Sequence, residues 1–123
     1  MTQTQVTHTR PTNTTWYVYV ILCSDNTLYT GITTDMSRRW QEHKEKRGAK
    51  YFRGRSPVEL LLLEPRPGRS HASQREYKIK QLDKKQKLRL CRAYEATTRE
   101  QIARERIAFV ESAATTPVGW RES

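Results

Sequence analysis

The sequence has little of what would suit a chain to the cell exterior or to a membrane. It holds two cysteines, Cys23 and Cys91, with no motif that pairs them. Reduced thiols in a cytoplasm are therefore expected, not a disulfide framework. No apolar run comes near the roughly 18 residues of a membrane helix. The opening MTQTQVTHTRPTNTT lacks the apolar middle of a secretion signal. With 123 residues and a hydrophobic share of 35%, the chain has enough for one domain and one modest core, not two. A soluble cytoplasmic protein is the expectation.

Acidic residues are scarce in one region. From Arg38 to Arg92 there are 18 Lys/Arg against six Asp/Glu, whereas the remainder carries five basic and seven acidic residues. The formal charge of +10 therefore belongs to the middle of the chain, which reads as a polyanion-binding surface. These cations do not ride on a long amphipathic helix with a bulky apolar face, which argues against membrane-surface binding.

The stretch Trp16–His43, WYVYVILCSDNTLYTGITTDMSRRWQEH, organises the rest. Alternation from Trp16 to Leu22 predicts a strand with Trp16, Val18, Val20 and Leu22 on one face and Tyr17, Tyr19, Ile21 and Cys23 on the other. Ser24-Asp25-Asn26 supplies turn chemistry, and Leu28 to Ile32 returns as a second strand with Tyr29 and Gly31 on one face. Asp35 is a helix N-cap signal. The helix should run to about Lys46 and end at Gly48, with Arg39 and His43 one turn apart on the same side.

Gly48 to Pro57 is a basic loop holding Lys50, Arg53, Arg55, Tyr51 and Phe52. Val58 to Glu64 is a third strand whose four leucines predict a central, doubly buried position, ended by Pro65-Arg66-Pro67-Gly68. A second helix from about Ser70 carries Ala72, Glu76 and Ile79 along one stripe. Leu82-Asp83 breaks it, and Lys84 to Tyr94 is a basic third helix. Thr97, Thr98, Glu100 and Gln101 form a capping-box pattern for a last helix to about Ala113, with Ile102, Phe109 and Val110 inward.

The predicted class is α+β: a small three-stranded, mostly antiparallel sheet in the order β-β-α-β-α-α-α, flanked by helices. Residues 1–15 are expected as a disordered tail, 16–94 as the functional domain, 95–114 as a helix packing on it, and 115–123 as a flexible end.

Candidate chemistry gathers on few residues. Tyr19 and Tyr29 reach one side of the hairpin, and Gly31 removes a side chain beside Tyr29, which would let a substrate backbone approach. Arg39 offers a planar fork for a phosphate; His43 could orient a tyrosine or donate to a leaving oxygen. Glu76 has apolar stripe-mates and should point inward, either as a metal ligand or paired to Arg39 or Arg75. Lys44, Lys50, Arg53 and Lys80 are candidate substrate contacts that position without reading sequence. Tyr51 and Phe52 either stack on exposed bases or anchor their loop. His71 is expected to cap a helix, and His8 lies in the tail.

Taken in order, Val18-Tyr19, Tyr29-Thr30-Gly31, Gly31 to Asp35, Arg38-Arg39-Trp40 with His43, and Glu76 with Ile79-Lys80 resemble the GIY-YIG nuclease superfamily. The likeness is to its small single-domain members of the UPF0213 type, and it covers about Trp16 to Arg92. Only the tyrosine of the GIY element is kept, since Tyr17 and Val18 stand in place of its glycine and isoleucine.

The resemblance implies a metal-dependent endonuclease acting on nucleic acid, DNA more than RNA, of structured or repair-related form. Tyr19, Tyr29, Arg39, His43 and Glu76 would be catalytic, with Glu76 as the metal ligand. The scarcity of converging carboxylates fits one divalent ion, Mg²⁺ or Mn²⁺. One tyrosine would activate water and the other contact phosphate. The chain lacks a separate DNA-binding module, so a protein partner could supply target choice to a monomer or weak dimer. The alternative is a nucleic-acid-binding module of the same fold with little or no catalysis.

Overall fold

In the computed structural model of the chain, residues 14–105 and 107 are described. His8, Phe109, Val110 and the two predicted tails, apart from Thr14 and Thr15, lie outside them. The elements run β1 (Trp16–Cys23), β2 (Leu28–Thr33), α1 (Met36–Lys44), a short 3-10 turn (Lys50–Arg53), β3 (Pro57–Arg66), α2 (Arg69–Lys80), α3 (Lys84–Ala93) and α4 (Glu95–Arg104). The predicted α+β class and element order hold.

The sheet is antiparallel throughout, in the order β2-β1-β3. Alternation along β1 sorts its side chains as expected. Tyr17, Tyr19, Ile21 and Cys23 pack with Met36, Trp40, Phe52, Ile102 and Ile107 on one face. Val18, Val20 and Leu22 pack with Ala72, Ile79, Leu88 and Cys91 on the other. The single core expected from chain length is thus two thin layers, because helices cover both faces of the sheet. Both cysteines are buried, free and small members of these layers.

Several local expectations are corrected. The leucine-rich strand is not central: β1 is, and β3 lies at the edge. Pro65 belongs to β3, opposite Tyr17, which an edge strand tolerates and a central one does not. Helix α4 packs along β3 and covers its free edge and the face of Leu60 and Leu63, while α2 and α3 bury Leu61 and Leu62 on the other face; the Leu63 N–H donates to the Thr98 hydroxyl at 3.2 Å.

Thr98 therefore sits buried inside α4 and caps nothing. That helix begins at Glu95 and stops at Arg104, short of Ala113. A capping box is found instead at Asp83 and Gln86, opening α3. Helix α1 ends at Lys44, with Lys46 in the left-handed region at φ 64°, so Gly48 is not its terminator. Gly68 precedes α2 with no side-chain cap, and His71 is exposed, not a cap.

Candidate active site

The hairpin register sets Tyr19 opposite Gly31, with Tyr29 opposite Ile21 on the same face. Helix α1 crosses that face because Asp35 starts it there, its carboxylate accepting the Arg38 N–H at 3.1 Å. The turn of α1 then brings Arg39 and His43 to the tyrosines. The Tyr19 hydroxyl and His43 Nε2 are 2.8 Å apart. Tyr29 lies across both, its ring centroid 6.1 Å from Tyr19 and 5.4 Å from His43.

Two glycines make this packing possible. A Cβ at Gly31 would lie 2.6 Å from the Tyr19 hydroxyl oxygen. The space beside Gly31 is filled by Tyr19, so it is not open for the close substrate approach anticipated from sequence. A Cβ at Gly48 would lie 2.5 Å from His43 Nδ1. Phe52 stacks on the other ring neighbour of this cluster, His43, at 4.2 Å and 30°. Phe52 is fully buried and anchors its loop, which removes it as a stacking platform.

Burial dominates the electrostatics of the inner pair. It pushes the Tyr19 phenol well above its ordinary range, with the nearby Arg39 charge opposing and the Tyr29 and Glu76 charges adding. It lowers His43 from 6.5 to about 4, with the Arg39 charge acting in the same direction. Both groups are neutral near pH 7. At Tyr19 desolvation outweighs the acidifying effect of the Arg39 cation. His43 Nδ1 is buried with no hydrogen-bond partner. Which of Tyr19 and His43 donates across their 2.8 Å contact follows the imidazole tautomer.

Arg39 is less enclosed, with about 31% of its side chain exposed. Its Nη1 donates to Glu42 Oε1 at 2.9 Å. Burial works against its charge, but Glu42 and Tyr19 outweigh that and raise its pKa. Glu42 thus faces Arg39 and holds the fork in place. The i,i+3 spacing was the available signal.

Glu76 does not follow its stripe-mates inward. Ala72 and Ile79 belong to the layer on the far face of the sheet from Tyr19, whereas Glu76 is at the margin, 22% exposed, with Lys80 Nζ 3.2 Å away. Neither expected arginine partners it. Arg75 instead forks onto Glu64 with two bonds of 2.9 Å. The Glu76 charge still reaches Tyr19. Lys44, Lys50 and Arg53 are exposed along the end of α1 and the 3-10 turn, and Lys80 is occupied by Glu76.

Among the described residues, no three His, Cys, Asp or Glu side chains cluster to hold a metal. One partly exposed carboxylate is too few for zinc. It suits a hard cation that keeps several waters and completes its shell with substrate phosphates.

The profile of the GIY-YIG catalytic domain matches residues 15–89. The chain belongs to the GIY-YIG family. Among its relatives, the UPF0213 protein YhbQ of Escherichia coli O8 (strain IAI1) is 51% identical over 77 residues, covering 63% of this chain and 77% of the relative. A UPF0213 protein of Cronobacter sakazakii is 49% identical over 75 residues, covering 61% and 79%. The solution NMR structure of the UPF0213 protein BH0048 from Bacillus halodurans is 34% identical, covers 85% of this chain and 96% of that one, and has a TM-score of 0.41. In this GIY-YIG chain, the matched span runs from β1 into α3 and takes in all five candidate catalytic residues. No described helix is long and apolar enough to cross a membrane.

Proposed function

We propose that the chain is a metal-dependent endonuclease that hydrolyses phosphodiester bonds, in DNA before RNA and in structured or repair-related forms of it. The observation that carries this is an Arg39 fork fixed by Glu42 beside Tyr19, which packs against Tyr29, with the Glu76 charge acting on the same Tyr19.

Exposure divides the roles. Arg39, Tyr29 and Glu76 form the layer that meets substrate; Tyr19 and His43, with no exposed surface, form the layer behind it. Arg39 binds the scissile phosphate and offsets charge on its oxygens as the attacking water adds. Tyr29 positions that water for in-line attack. Tyr19 and His43 are positioning residues that hold Tyr29 and Arg39 from behind. Glu76 would hold one Mg²⁺ or Mn²⁺, which supplies Lewis-acid stabilisation of the phosphoryl and leaving oxygens. Lys44, Lys50, Arg53 and Lys80 supply sequence-independent phosphate attraction.

The test is cleavage of plasmid, single-stranded DNA, branched DNA and RNA with Mg²⁺ or Mn²⁺, comparing the native chain with Glu76→Gln and Arg39→Ala. The expected result is metal-dependent cutting that both substitutions abolish while binding persists. A native chain that binds every substrate and cuts none would instead be a binding module of the same fold. Equal cutting by Glu76→Gln would remove the assigned metal ligand.

A further inference from the structure

We propose that the groove between the β1–β2 turn, the Tyr51 ring and the start of α3 holds the nucleotide that adjoins the scissile phosphate. Its place in the substrate rests on the nuclease reading; the binding itself does not. The groove has a volume of about 280 Å³ and is lined by Asn26, Thr27, Leu28, Tyr51, Lys84 and Lys87. That is just below the roughly 300–1,000 Å³ typical of small-molecule pockets, so it suits one nucleotide of one strand and not a duplex.

The lining matches the two halves of a nucleotide. Leu28 and Tyr51 give an apolar and aromatic wall for a sugar or base, which tolerates any sequence. Lys84 and Lys87 give two cations for a phosphate, and no carboxylate lines the groove to oppose them. Lys84 is already placed: its Nζ donates to the Asn26 carbonyl at 2.7 Å, leaving two of its three N–H donors for a ligand. Holding the lysine beforehand removes part of the side-chain entropy that binding would otherwise cost.

Tyr51 is held as firmly. The Arg55 guanidinium sits 4.0 Å from its ring centre, and its hydroxyl donates to the Leu28 carbonyl at 3.4 Å. Its ring centroid is 5.1 Å from that of Tyr29. Tyr51 is therefore a wall connecting the groove with the candidate active site. Arg39 meets Tyr19, Tyr19 packs on Tyr29 and Tyr29 on this wall, so a strand held at Arg39 that passes over Tyr29 continues to the groove.

The experiment uses the full chain carrying Glu76→Gln, in EDTA, with a fluorescein-labelled single-stranded octanucleotide followed by anisotropy. Lys84→Ala/Lys87→Ala is compared with Lys85→Ala/Arg89→Ala, an equal loss of charge elsewhere on α3. The groove variant should bind about tenfold more weakly and lose about 0.7 from the slope of log K against log salt, the share of one phosphate on a single strand. The control pair should weaken binding less than threefold. Equal weakening by both overturns the proposal. So does photocrosslinking of a 5-iodouracil-substituted strand if the adduct lies away from Tyr51; an adduct on Tyr51 supports it. If the native chain cuts nothing yet both results hold, the nuclease reading fails and the groove stands. If it cuts, and the groove variant cuts single strands with unchanged KM, the groove fails alone.

Discussion

The Tyr19 hydroxyl occupies the space where a side chain on Gly31 would begin. A Cβ there would lie 2.6 Å from the hydroxyl oxygen, 2.7 Å from the ring carbon bearing it and 3.0 Å from Tyr29 Cε2. Tyr19 cannot swing aside freely, because it is fully buried and bonded to His43. Gly31→Ala should therefore overpack the site, costing about 1–3 kcal/mol, and lower cleavage at least tenfold by displacing both tyrosines. Urea melts and initial rates, measured together, check this. Full activity in the alanine variant would mean that the tyrosine positions are not critical.

Stability should fall as pH drops from about 6.5 to about 4. His43 is held neutral in the fold, its pKa lowered from 6.5 to about 4 chiefly by burial. Between those values the unfolded chain binds the proton and the folded chain does not, so acid favours unfolding. The full effect is on the order of 3 kcal/mol, present above about pH 6.5 and lost as the pH approaches 4. Denaturation at pH 7.5 and 5.0 should show a smaller pH dependence in His43→Gln than in the native chain. Equal slopes would contradict the assignment.

The Glu64 carboxylate is 5% exposed and accepts from Arg66 at 3.0 Å as well as from Arg75. Arg75→Ala should destabilise the fold by about 2–3 kcal/mol. That is below the roughly 3–5 kcal/mol of a fully buried broken pair, since Arg66 remains and Arg75 is partly exposed. Replacing Glu64 by Gln in the Arg75→Ala background should recover part of the loss, as a double-mutant cycle would show.

Arg39→Lys separates charge from shape. Lysine keeps the positive charge but cannot donate at once to Glu42 and toward a phosphate in the same fixed plane. The expected outcome is a fall in kcat of about a hundredfold, the lower end for loss of one preorganised donor to a transition state, with KM changed much less. A rise in KM alone would make Arg39 a ground-state phosphate contact.

Period-2 alternation made the two faces of β1 legible, and helical spacing joined Arg39 to His43. These are local signals, set by geometry within one element. The errors arose where a second element decides. The leucines of β3 are buried because α4 packs on one face and the free edge while α2 and α3 pack on the other, which no pattern within the strand encodes, although Pro65 is a sign of an edge. Glu76 was read from the stripe of its own helix, but which layer that helix faces depends on the sheet order. Gly31 and Gly48 were legible as glycines and not as seats for the Tyr19 and His43 rings, because that requires the partner's position.

The seat that Gly48 makes for His43 bears on what loss of activity would leave behind. Tyr19, His43, Gly31 and Gly48 are interlocked in the interior, so drift at any one of them disturbs folding before it disturbs chemistry. Arg39 and Glu76 stand partly in solvent and can change with little effect on the interior. A descendant that had stopped cutting nucleic acid would therefore still carry the tyrosine, the histidine and both glycines. On the proposed mechanism, the residues to compare among relatives are Arg39 and Glu76.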